Sequence, residues 1–128
     1  MSVIVTDAGF AATDWAADLD AAEILTLPSD TKPQDVDLSG APKLVRVEFP
    51  SSADGRGFTI ARVLRDHGYT GKLRATGHVI ADQYAMARRC GFDDVEISDD
   101  LAARQPEDQW KFRANWQQND YQSRLRGA

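Results

Sequence analysis

The chain has one cysteine, Cys90, and two histidines, His67 and His78. One cysteine excludes an intrachain disulfide and a four-cysteine iron–sulfur cluster held by a single chain. So few soft ligands also argue against structural zinc, and no metal is expected. No apolar run approaches the roughly 20 residues that a membrane span needs. The first residues have neither a basic region nor a long apolar stretch. No secretory signal is therefore expected, and the cytoplasm is the expected location. A P-loop, a full dinucleotide fingerprint and a haem attachment sequence are also missing. No cofactor is evident; a flavin or nucleotide stays open as an expectation that no motif supports.

What is present is an ordinary globular composition over 128 residues, enough for one domain with a modest core. The net charge of -5 argues against general nucleic-acid binding. That charge is uneven. Residues 1–53 are acidic, residues 54–91 carry 7 basic and 3 acidic side chains, and residues 92–128 are acidic again. A basic middle in an acidic chain fits a local anion site or an acidic partner surface, and equally a solvated helix face.

Hydrophobic patterning predicts strands at residues 3–5, 24–27, 43–49, 72–76 and 95–97. Helices are predicted over residues 11–22, 57–67 and 79–90, with a C-terminal helix over about residues 106–125. Residues 28–42 read as a turn-rich connector with three prolines. Strand, helix, strand, helix, strand from residue 43 onward is two consecutive βαβ units. The expected fold is an α/β domain with a mostly parallel open sheet of about five strands, flanking helices and an aromatic-rich C-terminal helix. A partial β/α barrel is the alternative, since a full barrel needs about 250 residues. Sites of parallel sheets lie at the carboxyl ends of the strands.

Two loops at such ends hold the candidate ligand residues. Asp54, Gly55, Arg56 and Gly57 follow a strand and open a helix, where free N–H groups favour anions. The competing reading is a tight turn with Asp54 as a helix cap. Arg74 sits on the next strand and alternates with Leu73 and Ala75. It points either into a polar layer or outward. His78 follows that strand, where a general acid or base is useful. Asp82 and Gln83 open the next helix.

Cys90 lies beside Arg88 and Arg89, which would lower a thiol pKa. Its place at a helix C-terminus opposes this, and a half-buried structural cysteine is expected. At about 100° per residue, Ile60, Val63, Leu64 and His67 form the inner face of the helix over residues 57–67. Phe58, Arg62 and Arg65 fall on the outer face. In the C-terminal helix Trp110, Ala114, Gln117, Tyr121 and Leu125 share one face, and Phe112 and Trp116 the opposite one. Phe58, Arg62, Arg65, Arg88, Arg89, Phe112 and Trp116 are thus the candidate partner-docking residues. A homodimer is one expected use of them.

The run Phe49-Pro50, Asp54-Gly55-Arg56-Gly57-Phe58, Ala61-Arg62, Leu64-Arg65, Gly68-Tyr69, Gly71, Leu73-Arg74-Ala75, Gly77, Val79, Asp82-Gln83 and Arg88-Arg89-Cys90-Gly91-Phe92-Asp93 resembles the bacterial DUF934 family. The likeness is dense over the signature segment 49–92. His78 departs from it, because an acidic residue is common there in the family. The resemblance implies a link to assimilatory sulfite reduction, drawn in that family from gene neighbourhood and carried in its usual oxidoreductase label. An accessory protein that docks on sulfite reductase or its electron donor is the first functional expectation. A small anion- or phosphometabolite-binding enzyme or module is the second, and a homodimeric scaffold the third.

Overall fold

In a computed structural model that describes residues 2–40 and 42–114, six strands form one sheet. They are β1 (Ser2–Thr6), β2 (Gly9–Phe10), β3 (Ile24–Leu27), β4 (Leu44–Phe49), β5 (Lys72–Gly77) and β6 (Asp94–Ser98). Their spatial order is β2-β1-β6-β5-β4-β3. β3 to β6 are mutually parallel, whereas β1 runs antiparallel to both β6 and β2. The expected parallel arrangement therefore holds for β3 to β6 only; the sheet as a whole is mixed, and open, with β2 and β3 at its edges. Patterning fixes which residues alternate, not the direction of a neighbour, so the pairing of β1 was not readable. β2 is a two-residue strand folded back after Asp7-Ala8, too short to leave a pattern.

The helices are α1 (Arg56–Asp66), α2 (Tyr84–Cys90), α3 (Asp99–Arg104) and α4 (Glu107–Phe112). α1 joins β4 to β5 and α2 joins β5 to β6. Adjacent right-handed crossovers in one direction place both helices on the same face of the sheet. There Val45, Val47, Phe49, Leu73, Ala75 and Val95 meet Ile60, Leu64, Tyr84 and Ala87 in one core. The opposite face carries Arg46 and Glu48 of β4, Arg74 and Thr76 of β5, and Asp94 and Glu96 of β6, side by side in register.

Several local expectations need correction. The helix expected over residues 11–22 is two 3-10 turns, Trp15–Asp18 and Ala21–Glu23. Asp14 takes the Ala16 N–H at 2.9 Å, and Glu23 takes the Asp20 N–H at 3.0 Å. Such side chains compete with helical bonding. Phe58, expected outside, is buried. The first turn of α1 overhangs the end of β4, and the Phe58 and Phe49 rings sit 5.0 Å apart. Gly57 permits this approach, since a Cβ there would lie 2.5 Å from the Phe49 ring. His67, expected inside, is exposed, because α1 ends there and Gly68 turns the chain at φ +94°. The half-buried Tyr69 packs on the core instead.

α2 begins only at Tyr84, after a 3-10 turn Ala81–Gln83, and closes on Gly91 at φ 113°. Of the C-terminal helix expected over about residues 106–125, the described residues show α4, Glu107–Phe112, and the short α3 before it was not expected. Trp116, Gln117, Tyr121 and Leu125 lie outside the described residues. Trp110 and Phe112 do face opposite ways. Trp110 is 1% exposed and edge-on to Tyr84, and Phe112 is 73% exposed. No described helix is long and apolar enough to cross a membrane.

Candidate functional site

The loop after β4 is closed on itself. Asp54 Oδ1 accepts from the Arg56 amide at 3.1 Å and from its Nε at 3.0 Å, and Oδ2 accepts from Nη2 at 2.8 Å. These bonds hold the Asp54 carboxyl well below the usual carboxylate range. Arg56 Nη2 also donates to Ser29 Oγ at 3.0 Å, at the end of β3. Gly55 and Gly57 let the chain turn directly into α1. An internal carboxylate thus stands at the helix start, where an anionic ligand was expected.

The loop after β5 lies beside it. Gly77 adopts φ +117°, and a Cβ there would lie 2.5 Å from the Phe49 carbonyl oxygen. This close approach lets the His78 amide donate to that oxygen at 2.9 Å. The His78 side chain is exposed and borders a cleft of about 490 Å³ with Ser51, Ser52, Ile80, Arg104 and Gln105. Gln83 ties the two loops together, donating to the Ser52 carbonyl at 2.7 Å and accepting from the Ile80 amide at 3.1 Å. Asp82 accepts from Arg113 at 2.8 Å. Asp54, Arg56, His78 and Gln83 are therefore brought to one edge of the sheet, and Arg74 is not among them.

Arg74 lies in the middle of the polar face, 2% exposed. Its Nε and Nη2 donate to the two oxygens of Asp94 at 2.8 and 3.0 Å. Its Nη2 and Nη1 donate to the two oxygens of Asp14 at 2.9 and 3.1 Å. Burial opposes the guanidinium charge, but its hydrogen bonds to Asp94 and Asp14 prevail and raise its pKa. For Asp14, burial is likewise outweighed, by Arg74 and the Ala16 amide, and its pKa is lowered. Trp15 covers the pair. Its Nε1–H donates to Asp94 at 3.3 Å, and its ring lies 5.8 Å from the Arg74 guanidinium carbon.

Arg46 completes this face and was not singled out in the sequence. Its Nη2 donates to Glu96 at 2.9 Å and to Thr76 at 3.4 Å. It borders a cleft of about 320 Å³ with Ser29, Glu48, Pro50 and Thr76. A signal was available: charged or hydroxyl residues alternate at Arg46 and Glu48, at Lys72, Arg74 and Thr76, and at Asp94, Glu96 and Ser98 of three strands.

The remaining arginines of the basic middle are mostly built into the scaffold. Arg65 donates to the carbonyls of Tyr69, Gly71 and Gly91 and to the Asp93 carboxylate, which in turn takes the Leu73 amide. Arg88 donates to the Phe92 carbonyl and to Asp7, which also accepts the Tyr84 hydroxyl. Arg62 reaches the sulfur of the buried Cys90 at 3.6 Å. Arg89 lies exposed near the end of α2. Among the described residues, no three His, Cys, Asp or Glu side chains are placed to hold a metal ion. Phe112 stands over a surface cleft shared with Asp82, Asp108, Gln109 and Arg113.

A search of curated proteins and a search of solved structures each returned no significant match. Residues 24–127 match the model of the family described as bacterial protein of unknown function, DUF934. The chain belongs to the DUF934 family.

Proposed function

We propose that the protein is an accessory factor of assimilatory sulfite reduction that docks on sulfite reductase or its electron donor. The observation that carries this is Phe112, 73% exposed on a helix whose opposite side is anchored by the buried Trp110. An aromatic presented on a fixed helix, with the Asp82–Arg113 pair beside it, has the make-up of an interface centre with a polar rim. Arg65 and Arg88 support the same reading indirectly, because their bonds go to internal carbonyls and carboxylates rather than to an open site. The sulfur-pathway assignment follows the family resemblance. A strain lacking the gene, grown with sulfate or sulfide as sole sulfur source, tests it. Growth restored by sulfide alone supports the proposal, and normal growth on sulfate contradicts it.

A second reading, binding of a small anion, is favoured by Arg46 and Thr76. Both line the cleft beside the carboxyl ends of β4 and β5.

A further inference from the structure

We propose that Arg74 and Arg46 form an oxyanion slot on the polar face of the sheet, and that Asp14 fills it as an internal plug carried on a detachable strap. This rests on the small-anion reading and names its site and ligand class, a carboxylate or another oxyanion with two oxygens free to face a guanidinium edge.

The geometry of the plug is that of a ligand. Both oxygens of Asp14 accept from the Nη1 and Nη2 atoms of Arg74, at 3.1 and 2.9 Å. Any oxyanion with two suitably spaced oxygens makes the same pair. Asp94 meanwhile occupies the Nε side of the guanidinium from within the sheet. The two carboxylates are held very differently. Arg74 and Asp94 are sheet residues with side chains 2% and 6% exposed, whereas Asp14 is 32% exposed. It precedes the 3-10 turn Trp15–Asp18, in which Ala16 is buried while Trp15, Ala17 and Asp18 are exposed.

Within the sheet, the cations Arg46 and Arg74 face the anions Asp94 and Glu96, and Glu48 lines the cleft beside Arg46. A monoanion entering the slot replaces the charge of Asp14 one for one. Arg46 and Thr76 connect the face to the adjoining cleft. The matched family segment begins at residue 24. It spans Arg46, Arg74, Asp94 and Glu96.

The indole N–H signal of Trp15, assigned by its loss in W15F, reports the slot, because that group bonds Asp94. Acetate is the probe, with chloride at equal ionic strength as control. We expect a saturable shift in the native protein. In D14N the half-saturating acetate concentration should fall at least about tenfold, since the competing state is removed. Should D14N fold poorly, D14S serves, because serine still caps the 3-10 turn. R46Q should weaken the response. Calorimetric heat on acetate addition without a Trp15 shift would overturn the slot and leave the small-anion reading standing. Absence of both heat and shift, in the native protein and the variants, would overturn both.

Discussion

Arg74 and Asp14 lie 60 residues apart and meet through two hydrogen bonds of 2.9 and 3.1 Å. The contact fastens the N-terminal segment to the middle of the sheet. It also means that Arg74, the most buried charge among the described residues, hydrogen-bonds one carboxylate of the sheet and one of a surface turn. Arg74→Ala should therefore destabilise the fold by about 3–5 kcal/mol, because Asp94 loses its cation while still buried. Arg74→Lys should recover little, since an ammonium cannot make two bidentate pairs. Urea unfolding of both variants checks this, and a loss within error for Arg74→Ala would contradict it.

The pH dependence has two sides. Asp14 is depressed in the folded state, so its stabilisation is present above the unfolded value near 3.8 and is lost as pH falls through the lower folded value. Tyr84 is shifted up from 10.0, by burial and by the nearby Asp7. Its contribution is full below pH 10 and is lost as pH rises toward the folded value. Tyr69 shifts in the same direction, through burial. Thermal midpoints should thus fall above pH 10, and less steeply in Tyr84→Phe. Equal slopes in the two proteins would contradict the account.

Gly77 sets the crossing of the two strand-end loops. Its φ of +117° and the 2.5 Å approach to the Phe49 carbonyl leave no room for a side chain. Gly77→Ala should cost of order 1–3 kcal/mol. It should also weaken protection of the His78 amide in hydrogen exchange, since that amide donates to the same carbonyl. Unchanged stability would show that the turn tolerates a Cβ.

The parallel part of the fold was legible in the sequence for a physical reason. From Leu44 to Ser98, apolar alternation, glycine caps at Gly68 and Gly91 and a core stripe of Ile60, Leu64, Tyr84 and Ala87 all agree. Agreement across levels is what makes a pattern readable. Phe58 and His67 were misplaced because a helical wheel treats a helix as isolated. Here the first turn of α1 rests on Phe49, and its last residue bends away. The polar face was legible only as one of two readings of Arg74, for a different cause. Arg46, Arg74 and Asp94 come from three strands, and Asp14 from a segment that patterning assigned to a longer helix. Only the register β4-β5-β6 brings them together.

The two aromatics of α4 should separate cleanly. Trp110→Ala removes a buried ring and should cost about 3–5 kcal/mol. Phe112→Ala, at an exposed position, should change stability by no more than about 0.5 kcal/mol. Thermal denaturation distinguishes the two, and a large loss for Phe112→Ala would make that ring part of the core.

Direct binding tests the docking proposal most closely. Assimilatory sulfite reductase and its electron donor, each purified and immobilised, are titrated with the native protein and with F112A. The account predicts a saturable complex with one of them and a loss of about tenfold or more in affinity for F112A. No complex with either protein, or equal binding by F112A, would contradict it.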